Sequence, residues 1–123
     1  MPIEYVIDEE RRLIITTGSG VLTAAEIKAH EVRLKADARF VPAFYELVDV
    51  TPVTESPISA DEMRLLASAQ VFSPKARRAI VANRPLTFGL VRMFEMFREI
   101  AATEVETIHV FEDKPSAMRW LGF

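Results

Sequence analysis

The sequence predicts one α/β domain: a mostly parallel sheet of about five strands covered by four helices, in the order β-β-α-β-α-β-α-β-α. Three observations predict it. Short runs of β-branched and aromatic residues alternate with longer stretches of helical periodicity. Helix-start signatures follow the strand-like runs, at Thr23, Ser59 and Asp113. The run Arg78-Ala79-Ile80-Val81-Ala82 is almost continuously apolar, as strands covered on both faces are. Strands that take turns with helices imply parallel pairing, with helices on both faces. No repeat, low-complexity tract or linker divides residues 1–123, so a single domain is expected.

The elements follow in order. Ile3–Ile7 and Leu13–Thr17 flank the charged run Asp8-Glu9-Glu10-Arg11-Arg12 and read as an N-terminal hairpin. Gly18-Ser19-Gly20 breaks that pattern and gives Ser19 a turn role. Thr23 with Glu26 has the capping-box spacing, and a helix from about Ala24 to Asp37 follows. Its amphipathicity is thin, with Ile27, Leu34 and Ala38 on one face. Glu46–Val50 is a short strand that stops at Thr51-Pro52, where proline removes a ladder donor.

Ser59-Ala60-Asp61-Glu62 repeats the capping signature and opens a helix to about Phe72. Ser73-Pro74 ends it before the apolar strand at Arg78–Ala82, which is expected to be central. From Leu86 the positions Leu90, Met93, Phe94, Phe97, Ile100 and Ala101 form one wide stripe, with Arg92, Glu95, Arg98 and Glu99 expected opposite. Thr107–Phe111 is a further strand. Asp113 and Pro115 start a last helix that ends at Gly122.

Composition excludes several classes. Half of the residues are hydrophobic and 27% are charged, the balance of a globular chain. A net charge of −3 argues against nucleic-acid binding, which needs a surplus of Lys and Arg on one face. Without cysteine there is no disulfide framework and no thiolate metal site, and the cytoplasm is the expected location. The stretch Leu86–Ile100 carries four charges and is too short to span a bilayer, so no membrane insertion is expected.

Catalytic motifs are missing. Gly18 and Gly20 lack the third glycine of a dinucleotide loop, and Ser19 lacks the spacing of a nucleophile elbow. His30 and His109 form no ligand pair, so no metal site and no cofactor are expected. His30 reads as a helix-flank residue partly covered by the core. Asp49 ends a strand, where ligands gather in open α/β sheets, although the position two residues on is Thr51 and not a second carboxylate for Mg²⁺. Asp49 is therefore read as an acceptor for the loop that follows. Met93, Met96 and Met118 read as core filling. Phe88 and Val91 lie away from the main stripe and are candidate interface residues, unless Phe88 folds back from the first turn onto the core.

The strand Leu47-Val48-Asp49-Val50, the loop to the capped helix at Ser59 and the strand Ala79-Ile80-Val81-Ala82 together resemble the STAS domain of anti-sigma-factor antagonists, the SpoIIAA-like type, over most of the chain. Gly20-Val21-Leu22-Thr23, Phe88-Gly89-Leu90-Val91-Arg92-Met93 and Val110-Phe111-Glu112-Asp113 resemble a bacterial group of uncharacterised STAS-like proteins more closely. The resemblance implies a helix-covered sheet and a non-enzymatic protein that binds a partner. In some members a serine at the start of the second helix is a phosphorylation switch, and Ser59 stands at that position. Ser59 is thus a candidate both as phospho-switch and as plain helix cap.

Three functions follow as expectations. The first is a non-catalytic regulatory or protein-interaction module, a homodimer or the mate of a protein partner, using helix faces near Ser59 and Phe88. The second is a carrier of a small apolar or lipid-like ligand, which the lipid-carrier relatives of this architecture suggest. Leu90, Phe94 and Phe97 would line its pocket and Arg92 would meet an acidic headgroup. The third is an enzyme, which would need Asp49, Thr51, Ser59 and Asn83 to meet at the carboxyl edge of the strands.

Overall fold

The computed structural model describes residues 2–101 and 105–123. Two apolar runs form the antiparallel pair β1 (Ile3–Asp8) and β2 (Leu13–Gly18), in register from Ile3 opposite Gly18 to Asp8 opposite Leu13. Their turn is held by Asp8, whose carboxylate accepts from Arg11 N at 3.0 Å and Arg11 Nε at 2.8 Å. Strands β4 (Tyr45–Asp49), β6 (Arg77–Val81) and β7 (Thr107–Phe111) then add in parallel, giving the order β1-β2-β4-β6-β7. The five-stranded, mostly parallel sheet is the one the alternating pattern predicts.

Two short strands were not expected. Residues β3 (Gly20–Val21) and β5 (Val53–Glu55) form a small parallel sheet of their own. Gly20 N donates to the Pro52 carbonyl at 3.1 Å, and Leu22 N to the Glu55 carbonyl at 2.9 Å. Gly20 sits at a φ of 64°, which its missing Cβ tolerates. Strands this short carry no periodicity to read.

Three helices lie on one face of the sheet: α1 (Ala24–Ala36), α2 (Ala60–Ala67) and α3 (Pro85–Ala101). The fourth, α4 (Lys114–Leu121), packs Ala117 and Leu121 against Leu13, Leu47, Ala79 and Val81 on the other. The caps are those the sequence signals. Thr23 accepts from Glu26 N, Ser59 and Glu62 complete a reciprocal capping box, and Asp113 accepts from Ser116 N. Gly122 closes α4 at a φ of 97°.

The helix ends and faces differ from expectation at α2 and α3. Helix α2 stops at Ala67, short of Phe72, and the carbonyls of Ala67 and Ala69 accept from Arg98 Nη1 at 2.8 and 2.7 Å. A guanidinium thus satisfies acceptors that a longer helix would have paired internally. Arg98, expected on the solvent side of α3, is only 2% exposed. Its Nη2 donates to Glu106 at 2.6 Å, and this pair draws the helix round its axis. Consequently Thr87 and Arg98 are the buried residues of α3, while Leu90, Met93, Phe94 and Phe97 are half-buried and Ile100 is 79% exposed. Met96 is likewise exposed and fills no core.

The pair belongs to a chain of four buried or half-buried charges. Glu46 accepts from Thr16 Oγ1 at 2.7 Å and Arg78 Nε at 2.9 Å, and Arg78 Nη1 donates to Glu106 at 3.1 Å. Removing one partner of such a set leaves an uncompensated buried charge. Arg98→Leu is therefore expected to lower stability by about 3–5 kcal/mol. Urea unfolding checks it, and a loss under about 1 kcal/mol, as at an exposed ion pair, would show that the set does not anchor α3.

Candidate functional site

On the three-helix face an apolar cavity of about 130 Å³ opens near the carboxyl ends of β4 and β6. Val48 and Ile80 form its floor, Ile27 of α1 and Met63 and Leu66 of α2 one wall, and Leu90, Val91 and Phe94 of α3 the other. Leu22, Val53 and Ile58 close the end formed by the small sheet and its loop. Val48 is half-buried although β4 is the middle strand of five, because the cavity above it reaches solvent. This is the position where open α/β sheets receive ligands.

The inner end is polar. Glu31 and Arg78 line both this cavity and an adjoining recess of about 20 Å³, the room of one water molecule, which His30, Glu46 and Glu106 also line. Arg78 lies against the rings of Phe72 and Phe94, at 4.7 and 5.9 Å from their centroids. Burial works against its charge, but Glu46 and Glu106 outweigh that and hold its pKa above the ordinary value. Burial raises the pKa of Glu31, partly opposed by Lys28, Arg78 and Lys35. Burial also lowers the pKa of His30, with Arg33 and Arg78 acting the same way and Glu46 against. His30 is buried, meets Tyr5 edge-on at 5.4 Å, and its Nδ1 has no hydrogen-bond partner among the described residues.

Of the residues singled out from the sequence, Asp49 and Thr51 bond to each other, while Ser59 and Arg92 lie elsewhere. Asp49 lies on the α4 face, with Lys114 Nζ 3.7 Å from its Oδ2, and accepts from Thr51 N at 2.9 Å and Thr51 Oγ1 at 2.7 Å. It holds its own loop, as expected. The Thr51 carbonyl accepts from Arg84 Nη2 at 3.0 Å. Asn83 is exposed and lines a separate surface cavity with Phe88 and Glu112. Ser59 is exposed and engaged in its capping box. Of these four residues only Asn83 lines one of the cavities described, and Ser59 stands apart in its cap. Arg92 is exposed, with Glu95 3.8 Å away, and does not line the apolar cavity, so it is not the arginine that would meet a ligand there. Phe88 remains exposed at 40% and does not fold back onto the core, whereas Val91 turns into the cavity wall.

A solved structure superposes on this fold over nearly the whole chain. An uncharacterised protein of the DUF3478 family with a SpoIIAA-like fold, from Shewanella loihica PV-4, superposes with a TM-score of 0.61. The match covers 97% of this chain and 93% of that one, at 22% sequence identity. The fold is SpoIIAA-like. No family model matches the chain, and no curated protein matches it. Among the described residues of this SpoIIAA-like chain, no helix is long and apolar enough to cross a membrane, and no cluster of three or more His, Asp or Glu could hold a metal ion.

Sequence reading missed Glu31, Glu46, Arg78, Arg98 and Glu106 as site residues. Glu46 and Arg78 become neighbours only through strand register, and the one available signal was a charge at the start of each apolar strand. His30 offers a direct check. Its folded pKa lies below the ordinary 6.5, so the unfolded chain binds more protons in the window just under 6.5, and the stability that His30 contributes is lost as pH falls through it. One proton limits the slope to about 1.4 kcal/mol per pH unit. Urea unfolding between pH 7.5 and 5 is expected to show a shallower acid loss in His30→Gln than in the wild type. Parallel curves would contradict it.

Proposed function

We propose that this protein is a non-catalytic binding module and that the cavity between the sheet and α1, α2 and α3 takes a small, largely apolar molecule. The carrying observation is the solvent-open cavity of about 130 Å³ over the middle of the sheet, walled almost entirely by aliphatic and aromatic side chains. Cavities of roughly this size and lining hold molecules such as benzene. A non-catalytic role is supported by how the candidate groups are engaged. Asp49 and Thr51 are within reach of each other, but Asp49 is committed to the Thr51 N–H and hydroxyl of its own loop and to Lys114, and Ser59 to its capping box. The core between α2 and α3 is also not packed solid, as a carrier requires.

Methyl NMR titration with toluene tests the reading. Shifts are expected at Val48, Ile80 and Leu90, and Leu90→Trp, which fills the cavity from α3, is expected to weaken binding at least ~tenfold, about 1.4 kcal/mol. Shifts dispersed over the surface, or a Leu90→Trp variant that binds as well as the wild type, would remove the pocket from the account.

A second reading, self-association through α3, has its own observation. Gly89, Met93, Met96 and Ile100 recur at helical spacing along the outward side of this helix, with Leu86 exposed beside them. Arg92 and Glu99 flank the strip, so a two-fold pairing can set the arginine of one copy against the glutamate of the other. Light scattering is expected to give a dimer mass for the wild type and a monomer mass for Met96→Lys. A monomer at high concentration in both would end this reading and leave the pocket untouched.

A further inference from the structure

We propose that the molecule held in the cavity is uncharged and carries a hydroxyl group, seated at the inner end between Glu31 and Arg78; the inference rests on the cavity being a ligand site. Charge argues first. The carboxylates of Glu31, Glu46 and Glu106 stand against the guanidiniums of Arg78 and Arg98, three negative to two positive when Glu31 is ionised and two to two when it is protonated. Both arginines already bond to carboxylates. An anionic head would therefore add negative charge to a half-buried site whose lining guanidinium is already paired, with Lys28 and Lys35 acting on Glu31 from outside the lining. An ammonium head would face Arg78 and offers it no acceptor.

Hydrogen-bond capacity argues second. Arg78 gives Nε to Glu46 and Nη1 to Glu106, so Nη2 is engaged by neither carboxylate and can only donate. The Glu31 carboxylate on the neighbouring wall accepts. A hydroxyl does both, accepting from Arg78 and donating to Glu31, whereas an ether or an ester carbonyl does only the first. Behind them His30, 8% exposed, lines the small recess with an Nδ1 that no described residue satisfies. Buried polar atoms are nearly always partnered by protein or by ordered water, and the recess has the room of one water molecule, which keeps the inner end polar behind Glu31 and Arg78. The volume of about 130 Å³ limits the apolar body to one ring or a medium-length alkyl chain.

The test compares 1-octanol, octanoate, octylammonium and dibutyl ether, matched in carbon number, by methyl NMR titration of the full chain at pH 7. Binding of 1-octanol is expected to be at least ~tenfold tighter than that of each of the others. Glu31→Gln, which removes a carboxylate but keeps an acceptor, is expected to narrow the gap between octanol and octanoate at least ~threefold, because octanoate gains. Octanoate or dibutyl ether binding as tightly as octanol would overturn the head-group inference and leave the apolar pocket standing. An unchanged gap in Glu31→Gln would likewise overturn it. Absence of any shift at Val48 and Ile80 with all four compounds would overturn both.

Discussion

The alternating chain Glu46–Arg78–Glu106–Arg98 fixes how the elements of this domain sit on one another. It starts on β4, crosses to β6, reaches the segment just before β7 and ends on α3, where the last guanidinium also takes two carbonyls at the end of α2. Two strands, the segment leading into a third and two helices therefore share one set of charge-assisted bonds. Each charge is opposed by a neighbour of the other sign, which is the condition under which such groups can be buried at all. A packed apolar interface would hold the same elements without dictating which side of α3 faces in.

That dictation has a structural result. Because Arg98 must point inward, the apolar stripe of α3 is turned so that no part of it reaches full burial. Leu90, Val91 and Phe94 lean over β4 and β6 without closing on them, and the gap beneath is the cavity. The same rotation sends Met96 and Ile100 outward. The pocket and the exposed strip are thus two sides of one compromise between ion pairing and hydrophobic packing.

Much of the architecture was legible because the signals are local. The hairpin, the caps at Thr23, Ser59 and Asp113, the stop at Gly122 and the strand at Thr107–Phe111 each depend on residues within a few positions of one another. The strands β3 and β5 were illegible for the opposite reason: each is defined by the other, across some thirty residues. The orientation of α3 misled the periodicity argument because a charged residue was assumed to seek water, and only the neighbourhood of Glu106 and the end of α2 makes the inside the better place for Arg98. The candidate site suffered most. Asp49 and Ser59 were conspicuous by position yet are engaged in local turns and caps, while Glu31 and Arg78 stood in unremarkable helix and strand contexts until the fold brought them together.

Helix α3 is fastened near its first turn, where Thr87 is buried and its Oγ1 donates to the Arg84 carbonyl, and near its last, where Arg98 is held. Between these two points its side chains touch the sheet only partly. A rod clamped at both extremities and slack along its span can bow outward with its backbone ladder intact, so the gap beneath it can widen by gentle curvature of the axis without breaking a helical hydrogen bond.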